Sequence, residues 1–164
     1  MEGKKSKPRA LLIFGAPCSG KTAFAERFAK KFDLAYYDFD EIKAKYNLSR
    51  KNILLLVSLI ARTGKTLMIE GGLATEKERE EMRNILRMAG YDPTLIWVQT
   101  DVATIRLRMK VKYGGAAKAK EVYDASIESL EAPTEIERPI ILSGKHTFET
   151  QTKHVLAGLA ESEK

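Results

Sequence analysis

The sequence predicts an α/β fold in which a parallel sheet is covered by helices on both faces. Two observations carry this. Short apolar runs that read as strands alternate with segments of helical periodicity, the pattern of successive βαβ units. The residues able to do chemistry recur just after those apolar runs, at the edge where a parallel sheet gathers its ligands. With 44% hydrophobic residues, a chain of 164 residues can bury one good core, and no internal repeat, linker or low-complexity tract divides it. One domain is therefore expected over residues 9–164, behind a disordered basic leader at residues 1–8.

Taken in order, residues 9–14 read as a short buried strand. Residues 22–32 read as a helix, with Phe24, Phe28 and Phe32 at i, i+4 and i+8. Leu34-Ala35-Tyr36-Tyr37-Asp38-Phe39-Asp40 reads as a second strand ending in two carboxylates. Residues 52–62 have Ile53, Leu56, Val57 and Ile60 near helical spacing and stop at Thr63-Gly64-Lys65. A third strand is expected at residues 66–70, closed by Gly71-Gly72. Thr75-Glu76-Lys77-Glu78 matches the capping-box pattern and opens a charged helix that ends at Gly90. Residues 94–98 are a fourth strand, and Asp101 starts a helix toward Tyr113 that Gly114-Gly115 breaks. Residues 116–131 read as a further helix ended by Pro133, and residues 138–142 as a fifth strand. The closing helix, from Phe148 to about Leu159, is expected to pack through Phe148, Thr152, Val155, Leu156 and Leu159.

Between the first strand and helix lies Gly15-Ala16-Pro17-Cys18-Ser19-Gly20-Lys21-Thr22, which fits G-x-x-x-x-G-K-[ST] in the strand–loop–helix context that this phosphate-binding pattern requires. Its glycines let the backbone wrap an anion, its N–H groups point inward, and the helix N-terminus adds positive potential. Lys21 would reach the β- and γ-phosphates of a nucleoside triphosphate, and the Thr22 hydroxyl would ligate Mg²⁺. Cys18 lies inside this loop, where its thiol could be acidified, or could simply fill a permissive position.

The next two strands end in acids. Side chains alternate along a strand, so Asp38 and Asp40 are expected on one side of an extended chain. Two acids there can divide labour: one holds Mg²⁺ through water, the other accepts the proton of an incoming hydroxyl. Asp40 also stands where the N-cap of a helix starting at Glu41 would stand. Glu70 follows an apolar run, as Mg²⁺-site acids of triphosphate enzymes do. Gly71 and Gly72 would let a substrate approach the backbone, or simply make a turn.

Charge and composition limit the partners. The net charge is +6, from 28 basic and 22 acidic residues, but Lys4, Lys5, Lys7 and Arg9 supply much of the excess. The remaining body is mildly basic, which suits a polyanionic ligand and allows nucleic acid without favouring it. No apolar run approaches a membrane span or a signal peptide, and the single cysteine suits a reducing compartment, so a cytoplasmic protein is expected.

Together these residues resemble the P-loop small-molecule kinases: the shikimate- and gluconate-kinase-like group and its broader ATP-binding relatives, zeta-toxin-like and polynucleotide-kinase-like proteins included. The likeness covers nearly the whole chain after the leader. Tyr37-Asp38-Phe39-Asp40-Glu41-Ile42 looks like the D-x-D stretch after strand two of shikimate kinases, and Glu70-Gly71-Gly72 stands where that group has a glycine-rich substrate loop. The resemblance implies a three-layer P-loop NTPase fold with a five-stranded parallel sheet of order 2-3-1-4-5, a mobile lid at about residues 110–134, and ATP as phosphoryl donor. It implies that Asp40 contacts or deprotonates the acceptor while Asp38 supports Mg²⁺. On the family's spacing from Asp101, Arg108 and Lys112 are the basic residues that would close over the phosphates, with residues 116–120 as the lid tip. Lys112 departs from the more usual arginine and cannot make a planar bidentate clamp. Ser143-Gly144-Lys145-His146 resembles the segment that lies along adenine, which places Gly144 at the nucleotide. Shikimate kinases surround their acceptor with arginines, whereas here none follows Asp40 until Arg50; Arg50 and Lys51 could supply that contact.

Three activities fit this sequence. One is an ATP-dependent kinase acting on a hydroxyl of a small molecule. A second is a kinase acting on a nucleotide, nucleotide sugar or nucleic-acid end. The third is a non-catalytic ATP-binding regulatory module, against which the intact Lys21, Thr22, Asp38 and Asp40 argue. The absence of an N-K-x-D segment speaks against a GTPase switch. The acceptor and the oligomeric state are not specified.

Overall fold

In the computed structural model, residues 7–162 are described; most of the expected leader, residues 1–6, lies outside them. The elements run β1 (Arg9–Gly15), α1 (Lys21–Phe32), β2 (Ala35–Asp38), α2 (Phe39–Tyr46), α3 (Arg50–Ala61), β3 (Leu67–Glu70), α4 (Glu76–Met88), β4 (Asp92–Gln99), α5 (Val102–Tyr113), α6 (Ala116–Glu128), a 3₁₀ turn (Glu135–Glu137), β5 (Ile140–Ser143) and α7 (Phe148–Glu161). The five strands are all parallel, in the order β2-β3-β1-β4-β5, so the chain adopts the three-layer P-loop NTPase fold.

The pleat of the central strand explains the layering. Ala10, Leu12 and Phe14 of β1 face one side, where they pack with Ile53 and Val57 of α3 and Met82 and Leu86 of α4. Leu11 and Ile13 face the other, against Phe24 and Phe28 of α1 and Val155 of α7. Both faces are apolar because both are covered, so β1 reads as a continuous hydrophobic run. A third, much smaller cluster of Ile105, Met109 and Ala119 joins α5 to α6 as a hairpin standing off the sheet.

Several expectations need correction. The second strand stops at Asp38; Phe39 and Asp40 belong to α2. The reason is that Asp38 is the N-cap, its Oδ1 accepting the N–H groups of Asp40 and Glu41, each at 3.0 Å. The cap is thus Asp38 and not Asp40, and a strand pleat does not bring the two acids together. The helix expected at 52–62 begins at Arg50, because Ser49 and Asn52 form a capping box. The fifth strand is Ile140–Ser143 rather than residues 138–142, since Arg138 takes a left-handed φ of 46° and Pro139 offers no N–H to a ladder. Leu156 is 44% exposed and lies off the packed face of α7, and Phe32, at the end of α1, is 37% exposed. Residues 116–120 lie in the start of α6, one step past the turn of the α5–α6 hairpin at Gly114-Gly115, where Gly114 ends α5 in the left-handed region.

One buried network escapes local pattern altogether. Arg79 of α4 has no exposed surface and grips Glu137 through Nε to Oε1 at 2.7 Å and Nη2 to Oε2 at 3.0 Å. Its Nη1 donates to the carbonyls of Leu73, Ala74 and Glu131, and its guanidinium stacks 4.7 Å from the Phe14 ring centroid. Burial pushes the Glu137 carboxyl up, but the bonds from Arg79 and the Thr134 amide outweigh it and hold the net value below the ordinary 4.5. Removing one partner of such a pair leaves an uncompensated buried charge. Arg79→Met should therefore lower the unfolding free energy by about 3–5 kcal/mol in urea titrations. Because the Glu137 pKa is depressed on folding, its contribution is full above its unfolded value and is lost as pH falls through the folded value. Glu137→Gln should accordingly flatten the acid limb of the stability–pH curve.

Candidate functional site

All candidate residues gather at the carboxyl edge of the sheet. The loop after β1 leads into α1, whose first turn carries Lys21 and Thr22. Within that loop Ser19 N–H donates to the Ala16 carbonyl at 3.2 Å, and Cys18 is half-buried with a left-handed φ of 57°. Pro17, Cys18, Gly20, Lys21 and Thr22 border a cavity of about 640 Å³ that reaches Asp38, Asp40, Glu70, Arg108, Lys112 and Gly144. Backbone amides at a helix N-terminus beside a lysine make this an anion site.

Glu70 organises the centre of that edge. It is 3% exposed, yet both carboxylate oxygens are engaged. The Thr22 hydroxyl donates to Oε1 at 2.7 Å, Lys21 Nζ stands 3.6 Å from the same oxygen, and the Tyr36 hydroxyl donates to Oε2 at 2.7 Å. Tyr36 answers in turn: burial, followed by its bond to Glu70, pushes the phenol far above its usual pKa, so it remains a donor. The Thr22 hydroxyl and the Glu70 carboxylate are hard oxygen donors side by side, which fits Mg²⁺, and Asp38 adds a second carboxylate through its register position opposite Glu70. Among the described residues no group of three or more His, Cys, Asp and Glu side chains is arranged to hold a metal by itself. A cation here would draw its other ligands from phosphate and water.

Asp40 lies between the phosphate-loop cavity and a second one. Its Oδ1 accepts the Gly72 N–H at 3.0 Å, leaving Oδ2 for another partner. Gly71 is required for this approach: its φ is +87°, and a Cβ there would overlap the Asp40 amide nitrogen and lie 2.8 Å from its Cγ. Asp40, Lys43, Arg50 and residues 71–75 border a second cavity of about 480 Å³, roofed by Ser126, Ser129 and Leu130 at the end of α6. The two cavities share Pro17, Lys21 and Asp40.

Three basic candidates fare differently. Arg108 lies against the phosphate loop, with Nη1 donating to the carbonyls of Cys18 at 3.1 Å and Ser19 at 3.2 Å and Nη2 to that of Gly144 at 3.1 Å. It joins the two loops that border the larger cavity. Lys112, one turn on, borders the same cavity. Arg50 has every guanidinium nitrogen committed: Nε to Glu81 at 3.3 Å, Nη1 to the Gly72 carbonyl and Nη2 to the Glu78 carbonyl, both at 2.8 Å. Arg50 props the glycine loop while bordering the smaller cavity.

The sequence reading passed over several contributors. Tyr36 is one, although it lies two residues before Asp38, and the strand pleat places i and i+2 on one side. Thr100, just past β4, donates to the Ser19 carbonyl at 2.8 Å. Gly144 packs so tightly there that a Cβ would overlap the Ser19 carbonyl oxygen and the Thr100 hydroxyl. Asp101 caps α5 and pairs with Lys145; the Lys145 bond, then those from Thr104, hold its carboxyl far below the usual range and anchor the loop after β5. The Tyr36 bond has a measurable consequence. Tyr36→Phe leaves one oxygen of a buried carboxylate unsatisfied and should cost about 1–3 kcal/mol in thermal or urea unfolding of the nucleotide-free protein.

The same architecture recurs in solved structures of low sequence identity. A gluconokinase from Sinorhizobium meliloti 1021 shares 15% identity with a TM-score of 0.69, over 96% of this chain and 94% of that one. An APS kinase from Mycobacterium tuberculosis, solved with AMPPNP and APS, shares 17% with a TM-score of 0.67, over 94% of this chain and 98% of that one. Kti12 from Chaetomium thermophilum, solved with ADP-AlF3, shares 13% with a TM-score of 0.69, over 93% and 97%. A comparison with curated proteins finds no match. At these identities the likeness establishes the fold. The sequence itself goes further, because residues 11–135, more than half of the chain, match the AAA domain model, and the protein belongs to the AAA domain family.

Proposed function

We propose that the protein is an ATP-dependent phosphotransferase that moves the γ-phosphate to a hydroxyl group of a small-molecule acceptor. The observation that carries this reading is the meeting of the two cavities at Lys21 and Asp40. A phosphate-binding loop alone would fit any triphosphate-binding protein. A carboxylate with a free oxygen, standing where a second cavity opens onto the loop's lysine, supplies the general base that a hydroxyl acceptor needs.

The division of labour follows from the contacts. Residues 15–22 cradle the triphosphate, with Lys21 turning from Glu70 toward the β- and γ-phosphates as they bind. Thr22 and Glu70, with Asp38 beside them, would hold Mg²⁺. That ion, when bound, neutralises charge on the phosphate oxygens. Asp40, fixed by the Gly72 amide, orients the acceptor hydroxyl and takes its proton. Arg108 and Lys112 bring positive charge over the larger cavity, and the α5–α6 hairpin forms the lid, at about residues 110–134. In-line transfer then depends on position and charge neutralisation rather than on a covalent intermediate. A cavity of about 480 Å³ suits a small acceptor better than a polymer end. No helix among the described residues is long and apolar enough to cross a membrane, and a cytoplasmic site of action fits the single cysteine.

The test is a metabolite panel with γ-labelled ATP. Lys21→Ala should abolish transfer. Asp40→Asn should lower turnover at least about a hundredfold while ATP still binds; undiminished turnover by that variant would remove Asp40 from its role. Gly71→Ala should behave as an acceptor-side lesion, with kcat down roughly tenfold to a hundredfold and ATP affinity, followed by calorimetry, close to that of the unaltered protein.

A further inference from the structure

We infer that the acceptor carries an anionic group, and that Lys43 is the residue that reads it. This rests on the phosphotransferase reading above and concerns the chemical class of its second substrate.

The smaller cavity contains three cations and two carboxylates: Lys21, Lys43 and Arg50, with Asp40 and Glu78. Four of these five are already occupied. Lys21 lies 3.6 Å from Glu70 and faces the phosphate loop. Arg50 is tied by all three nitrogens to Glu81 and to two backbone carbonyls. Glu78 Oε2 accepts the N–H groups of Ala74 and Thr75 as part of the α4 cap. Asp40 is held by Gly72 and offers its other oxygen to the hydroxyl. Lys43 remains: among the described residues its ammonium forms no ion pair and no hydrogen bond, and it borders the cavity from the same helix as Asp40.

The spacing defines what would fit. Residues three apart on a helix lie on one face, with Cβ atoms about 5–6 Å apart. An acceptor whose hydroxyl meets Asp40 therefore presents its next group, a few bonds away, to Lys43. Lys43 is exposed at the cavity rim, so a neutral polyol would leave it to water. A carboxylate or a phosphate monoester would make a charge-assisted hydrogen bond with it. Lysine on a flexible stem serves either anion as a point charge, without the planar selectivity of arginine.

The experiment compares matched acceptors with γ-labelled ATP: glycerate against glycerol, and ribose 5-phosphate against ribose. The unaltered protein should phosphorylate the charged member of at least one pair with the higher kcat/KM. Which pair responds distinguishes a carboxylate from a phosphate. Lys43→Gln should raise KM for that charged acceptor roughly tenfold or more with a much smaller change in kcat, the signature of lost ground-state binding, and Lys43→Arg should restore most of it. ATP affinity, measured separately, should not follow the Lys43 substitutions. Equal or better use of the neutral members, or an unchanged preference in Lys43→Gln, would overturn the inference and leave the phosphotransferase reading standing. ATP binding with no transfer to either member of any pair, nor to the wider panel, would overturn both.

Discussion

The arrangement of this molecule turns on a single buried carboxylate. Glu70 ends the strand between β1 and β2, where little solvent reaches it, and an unpaired charge there would cost several kcal/mol. The chain answers from two directions. Thr22 and Lys21 reach it from the first turn of α1, and Tyr36 reaches it from β2. These contacts fix the start of α1 over the end of β3 and tie the edge strand to its neighbour. They also leave the nucleotide-free loop with its lysine already neutralised. A polyanion that binds there meets a lysine already paired with Glu70 rather than an idle cation.

A second buried charge does the corresponding work beside the smaller cavity. Arg79 holds the carbonyls of Leu73 and Ala74, just past the glycine loop, and the carbonyl of Glu131 and carboxylate of Glu137, just past α6. The wall and the roof of the smaller cavity are therefore fastened to the same side chain. The α5–α6 hairpin, in contrast, meets itself through only a small apolar cluster, with Arg108 bonded to the loop carbonyls beneath it.

What the sequence disclosed follows the range of the interactions. The phosphate loop and the strand–helix alternation were legible because each depends on neighbours in sequence, whereas the sheet order came only with the resemblance to P-loop kinases. Thr75 and Glu78 made a cap that four residues sufficed to announce. Asp38 and Asp40 were legible as a pair but not in their geometry, since a cap and a strand end share the same two-residue spacing. Arg79 was not legible at all. Within Glu76-Lys77-Glu78-Arg79-Glu80-Glu81 it reads as one more charge on a solvated helix, and its partner lies 58 residues away. Arg50 borders the smaller cavity, as the sequence led one to expect, but its bonds to Glu81 and to the Gly72 and Glu78 carbonyls are visible only in the three-dimensional contacts.

The two halves of the site are consequently unequal in how firmly the fold determines them. The donor half is built largely from backbone: amides of the loop, a helix N-terminus, and glycines that admit close approach. The acceptor half is assembled from side chains on α2, α3, α4 and the end of α6, which approach one another only in the folded chain. Substitution at Lys43, Ser126 or Ser129 would alter its chemistry without disturbing the sheet, Glu70 or Arg79. On the phosphotransferase reading proposed above, such a fold can hold its nucleotide site constant while its second substrate diverges, and that substrate is to be sought in those few side chains.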